Sequence, residues 1–219
     1  MQTRFAAVVN PIRKNKVNTS QAAFPDLREL VQLFYDRVED LATFQSVQSG
    51  ELPPVYADLL DHDHHMTVNV ESHHGCPVDV HVLEYEMQGD IYLRKILLTC
   101  QPLTCQPLTG KPLTGKPIKR TDHQVVMFGI VRLHTRYLDE TVRSEIESRK
   151  IPLGRVLIEH DVLRRVELGK LWRVTPGLEL QRHFKLDSPK VTFGRTAIIH
   201  CDDEPAIELV EIVAPEVVP

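Results

Sequence analysis

The sequence is short of the features that most quickly assign a function. Only four of its 219 residues are cysteine, with no CxxC pair, too few and too scattered for a disulfide scaffold or a cysteine-based zinc finger. No apolar run approaches the roughly 20 residues that cross a bilayer. At the start, the apolar run from Phe5 to Val9 stops at Asn10 and Pro11, too soon for the core of a secretory signal. A long basic run is also missing. Arg13, Lys14 and Lys16 make only a small patch in a chain of net charge −4, which is not the electrostatic footprint of a nucleic-acid binder. These absences predict a soluble cytoplasmic protein with no membrane span and no nucleic-acid partner.

What is present looks like an ordinary globular chain. Hydrophobic residues make up 42% and charged residues 26%, and the length suits one domain over residues 1 to 219 with a substantial core. One segment is not ordinary. CQPLTCQPLTGKPLTGKPIK, residues 100 to 119, is a five-residue unit written four times. Solenoid repeats are units of about 20 residues or more that bury a shared core by stacking, which five residues cannot do. Each copy carries a proline (Pro102, Pro107, Pro112, Pro117), which removes a backbone donor and blocks helix interiors and central strands. An exposed, partly extended loop is expected, with a proline-rich recognition motif as the alternative. Cys100 and Cys105 are equivalent positions of duplicated copies, so duplication accounts for their spacing without a metal or redox role.

Hydrophobic periodicity supplies the elements. Over residues 25 to 48, Leu27, Leu30, Val31, Phe34, Val38 and Leu41 recur at helical spacing, with Pro25 suited to a first turn. Period-two alternation predicts strands at 67 to 71 and 78 to 86, then Gly89-Asp90 as a turn, then a strand at 91 to 99. A strand at 124 to 134 returns after the pentapeptide segment. Asp139 can cap a helix in ETVRSEIESRK, and Pro152 can open another. A strand near 162 to 168 comes next, and Trp172, the single tryptophan, lies in the short segment LWRV. Strands at 192 to 200 and 206 to 213, joined by CDDEP, close the chain. The sum is an α+β domain built on an antiparallel sheet with a few packed helices.

Two groups of residues could carry chemistry. His62, His64, His65, His73 and His74 crowd into DHDHHMTVNVESHHG, yet neither a helical HxxxH nor a Cys/His finger pattern accompanies them. A structural or surface role is expected, and no metal. The second group is quieter. Alternation puts Arg94 with Tyr92, Ile96 and Leu98 on one face of its strand and Lys95 on the other. In the last strand, Glu211 and Glu208 likewise fall on opposite, mainly apolar faces. A charge on a buried face must be paired, so Arg94 and Glu211 are either a structural ion pair or two ends of a polar ligand site.

The blocks LLDHDHHMTVNVE, IYLRKILL, IPLGRVL and PAIELVEIVAP, in this order and separation, resemble the chorismate lyase family over about residues 25 to 215, the pentapeptide insert excepted. The resemblance implies a compact antiparallel sheet with an enclosed internal ligand pocket, and elimination of pyruvate from chorismate to leave 4-hydroxybenzoate, without a metal or organic cofactor. It implies that Arg94 grips the ring carboxylate, a task suited to a planar bidentate donor, and that Glu211 sits near the ring hydroxyl. Met66 and Leu153 match positions whose backbone groups contact the carboxylate, although their side chains also suit core packing. Arg155, in PLGR, matches less well and suits a structural ion pair. The effector-binding domains of some transcription regulators share this fold, so a module that binds an aromatic carboxylate without turning it over is the alternative.

Overall fold

The computed structural model describes residues 25 to 100 and 124 to 216. The pentapeptide segment beyond Cys100 and the N-terminal basic patch lie outside the described residues. Alternation in the sequence becomes one seven-stranded antiparallel sheet in the order β1-β5-β6-β7-β4-β3-β2. The strands are β1 (Ala42–Val47), β2 (Val78–Gln88), β3 (Ile91–Cys100), β4 (Gln124–His134), β5 (Arg164–Pro176), β6 (Thr192–Cys201) and β7 (Glu204–Val213). The helices are α1 (Leu27–Val31), α2 (Val38–Leu41), α3 (Pro54–Leu60), α4 (Met66–His74), α5 (Glu140–Ser148), α6 (Leu153–Glu159) and α7 (Leu178–His183). The architecture is α+β, as the sequence predicts, and no described helix is long and apolar enough to cross a membrane.

The turns follow from local chemistry. Gly89, at φ 63, closes the β2–β3 hairpin, and Asp202 and Asp203, at φ 49 and 66, make the two-residue turn between β6 and β7. Positive φ at both central positions is what a right-twisted two-residue hairpin demands, and Asp tolerates it. Asp139 caps α5 by accepting from the Thr141 and Val142 amides at 2.8 and 3.0 Å.

Three expectations are corrected. The long helix over 25 to 48 is instead α1, a turn, α2 and then β1. Asp26 caps α1 through the Arg28 amide at 2.7 Å, so Pro25 precedes the helix instead of lying in its first turn, and residues 42 to 47 pair with β5 from Ala42↔Pro176 to Val47↔Leu171. Pairing with a neighbouring strand outweighs helix propensity there. The strand at 67 to 71 is helix α4, in which Met66, Thr67 and Val70 are buried and Val68 is exposed. Five alternating residues are too few to separate a period of two from one of 3.6, and Gly75 at φ 64 ends the helix as its left-handed cap. Finally, Cys76 and Cys100 form a disulfide with Cα atoms 5.9 Å apart. The duplication reading of Cys100 did not anticipate this bond, because its partner lies 24 residues away on a segment that only the fold brings alongside.

Both sheet faces are covered. One carries Leu97, Phe128, Ile130, Val210 and Ile212 against α1, α2 and α7. The other is covered by α3 and α4 over one half and α5 and α6 over the other. Where those halves meet, the sheet is not fully packed.

Candidate functional site

Antiparallel register decides what faces that gap. Ile96, Gly129, Glu211 and Arg195 lie directly opposite one another across β3, β4, β7 and β6, and Arg94, Val131, Leu209 and Ala197 form the next row on the same face. Gly129 leaves the floor low: a Cβ there would meet Ile96 Cγ1 at 3.2 Å. The roof comes from the first turns of α4 and α6. These approach closely because Gly154 has no side chain, and a Cβ there would sit 3.1 Å from Thr67 Oγ1. The cavity between floor and roof has a volume of about 40 Å³. Arg94, Glu211, Met66, Leu153, Arg195 and His65 are among its lining residues.

The four charges that alternation placed on β3 and β7 meet different fates. Lys95, on the opposite face, reaches Glu179 at 3.1 Å and also contacts Glu84. Glu208 accepts from Arg132 Nη2 at 2.9 Å. Glu211 is paired as well, but with Arg195, whose Nε donates to Oε2 at 2.7 Å. Among the described residues Arg94 has no ion-pair partner. It is 0% exposed, and none of its three guanidinium nitrogens makes a hydrogen bond with the described residues. Burial pushes its pKa down to about 10, against a smaller upward pull from Tyr92. A direct Arg94–Glu211 ion pair is therefore excluded, and the two residues stand apart along the pocket.

Arg195 is the pocket residue that sequence reading missed. It is 1% exposed, and besides Glu211 it donates to the Leu60, His62 and His64 carbonyls at 3.2, 2.9 and 3.3 Å. One guanidinium thus balances the carboxylate and pins the connection from α3 to α4 over the pocket. Its signal was visible in TFGRTAIIH, a single charge amid apolar residues on β6, like Arg94 on β3.

The histidines separate by role. His62 Nε2 lies 2.7 Å from the Leu59 carbonyl, and burial with the Arg195 charge lowers its pKa. His64 contacts Asp63 at 3.3 Å. His73 and His74 lie 3.6 and 3.8 Å from the Glu216 carboxylate, and their three ligand atoms fall within 4.8 Å of one another. That is the grouping of three most suited to a cation among the described residues. His65 faces the pocket, 8% exposed, and its Nε2 has no partner. Burial first, then the charges of Arg164 and Arg195, pushes its pKa down to about 4, so the ring is neutral near pH 7.

Met66 and Leu153 are each the first residue of a helix, α4 and α6, and neither helix has a side-chain cap. Amides in a first turn have no intrahelical partner, so both positions carry backbone donors at the pocket roof. Arg155 is held elsewhere, in an ion pair with Glu71, whose carboxylate also accepts from the Val78 amide at 3.0 Å. It ties α6 to α4 and β2.

No protein-family model matches the chain, and no curated protein does. Among solved structures it is similar to PhnF from Mycobacterium smegmatis, at 9% identity and TM-score 0.42 over 68% of this chain and 63% of that one. It is also similar to YydK from Bacillus subtilis, described as a possible transcriptional regulator, at 12% identity and TM-score 0.37 over 65% of this chain and 62% of that one. The chain thus spans less than two thirds of either protein. Neither likeness is close enough to transfer a residue role or an activity.

Proposed function

We propose that the chain binds a small aromatic carboxylate in this pocket and that its reaction is elimination of pyruvate from chorismate, giving 4-hydroxybenzoate. The observation that carries the binding part is Arg94, fully buried with three unpartnered guanidinium nitrogens in a pocket with largely apolar walls. Isolated charges are not kept in protein interiors without compensation, and a planar fork of donors matches a carboxylate bidentately. Apolar walls such as Ile96, Leu98, Val131 and Leu209 suit the two faces of a ring.

The chemistry is the sequence resemblance applied to these residues. Loss of the C4 proton and cleavage of the C3–O bond release the enolpyruvyl group, which becomes pyruvate, and the ring gains aromaticity. That gain drives the reaction, so positioning and charge complementarity are what the protein supplies. Arg94 would hold the ring carboxylate. Glu211 would orient the ring hydroxyl and assist proton loss through Oε1, which the Arg195 contact does not use.

A non-catalytic effector pocket is the second reading, and one observation favours it: Glu211 Oε2 is already engaged by the buried Arg195 at 2.7 Å, a structural pairing that asks no proton transfer of the carboxylate. Incubation with chorismate separates the two. Pyruvate and 4-hydroxybenzoate appearing one to one, above the uncatalysed background and suppressed by added 4-hydroxybenzoate, is the expected result. Saturable binding of 4-hydroxybenzoate by folded protein, with no pyruvate above background, would leave only the effector reading.

A further inference from the structure

His65 and Val166 line not only the enclosed pocket but also an open groove on the outside of the molecule, between the start of α4 and the start of β5. They are therefore the partition between ligand space and solvent. Three features of this partition point the same way. His65 is more than nine-tenths buried, and its Nε2 has no hydrogen-bond partner, which is uncommon for a buried polar atom outside functional sites. Arg164 stands two residues before Val166, opposite Cys201 as Val166 is opposite Ile199, so strand alternation puts it on the pocket face of the sheet. Arg164 donates to the Val162 and Leu157 carbonyls at 3.0 and 3.5 Å, but forms no ion pair among the described residues.

The other charges on the groove are mostly engaged. Asp63 contacts His64 at 3.3 Å, and Arg165 pairs with Glu167 at 3.0 Å. Asp161, held at φ 50 in the turn before β5, forms no ion pair with Arg164. A cation without a counter-ion and a neutral imidazole without a partner thus share one rim. After burial, repulsion from nearby positive charge is what keeps His65 neutral, and Arg164 contributes most to that repulsion.

We propose that His65 and Arg164 form an anion-binding mouth to the pocket, holding a second carboxylate on the ligand while Arg94 holds the first. The ligand enters through the groove and remains bridged between the interior and the rim. His65, in the tautomer that protonates Nε2, donates one hydrogen bond, and Arg164 supplies the charge. This rests on the aromatic-carboxylate reading of the pocket and adds to it the site of the second acidic arm, on residues to which the sequence resemblance assigns no role.

The test compares two ring acids that differ only in the second charge, 4-(carboxymethoxy)benzoate and 4-methoxybenzoate, by calorimetry on the full chain. The unmodified protein should bind the dicarboxylate about tenfold or more tightly, the scale of one charge-assisted hydrogen bond. Arg164→Gln should lose most of that advantage while 4-methoxybenzoate affinity stays within about twofold, and His65→Phe should lower the ratio of the two affinities as well. Melting curves on both variants establish that they are folded, and Arg164 is only partly buried, so its substitution is the safer arm. Equal affinity of the unmodified protein for the two acids, or variants that weaken both acids alike, would overturn the proposal. If neither acid binds, the aromatic-carboxylate reading itself falls, and the mouth falls with it.

Discussion

An arginine held in a protein interior with no counter-ion lowers stability, and that sets Arg94 apart from every other buried charge described here. Arg195 and Glu211 neutralise each other at 2.7 Å, whereas Arg94 has no such relief. The two sites should therefore respond oppositely to substitution. Arg94→Met, close in length and apolar, is expected to raise the stability of the ligand-free protein by about 1–4 kcal/mol, as replacement of buried charges by apolar residues often does, while abolishing binding of 4-hydroxybenzoate. Glu211→Gln leaves Arg195 buried without its countercharge and is expected to cost about 3–5 kcal/mol. Urea denaturation of both variants, with ligand titration of the folded protein, checks this. Destabilisation by Arg94→Met would mean that its guanidinium is satisfied within the folded chain after all.

At the scale of elements, the pocket is a seam between two packed halves. α3 and α4 cover one half of the sheet face and α5 and α6 the other, and the first turns of α4 and α6 close over the gap between them. β3 and β4 end side by side, where Cys100 pairs with Gln124, and the disulfide to Cys76 anchors that corner. Directly opposed strand ends need only a short connection. Replacing residues 101 to 123 with a four-residue Gly-Ser link is thus expected to preserve the fold, with a melting temperature within a few degrees of the original, and to preserve ligand affinity. Loss of affinity in a folded protein would make the pentapeptide segment a part of the site.

The whole molecule carries a pH dependence whose sign follows from its buried histidines. His65 has a folded pKa of about 4 against an ordinary 6.5, through burial first and then the charges of Arg164, Arg195 and His64. His62 is shifted in the same direction. As pH falls below about 6.5, the unfolded chain takes up protons that the folded chain refuses, so stability is full above that pH and declines toward pH 4. For His65 the loss is on the order of 3 kcal/mol over that window. Urea midpoints should fall between pH 7.5 and pH 5, and His65→Phe should flatten the decline. An identical pH profile in the variant would mean that the ring is not kept neutral by the fold.

Much of the architecture could be read from the chain alone, because period-two alternation in β2, β3, β4, β6 and β7 is a property of residues adjacent in sequence. Asp139 as a cap, Gly89 at the hairpin turn and the pairing of polar and apolar faces were legible for the same reason. Alternation also singled out Arg94 and Glu211, since a lone charge on an apolar strand face stands out without any tertiary information. What it could not supply was partnership. That Glu211 meets Arg195 and not Arg94, that Cys76 meets Cys100, and that TVNVE is helical are consequences of register and packing between segments far apart in sequence. Only the folded sheet sets which charges lie opposite one another and which one is left facing an unfilled pocket.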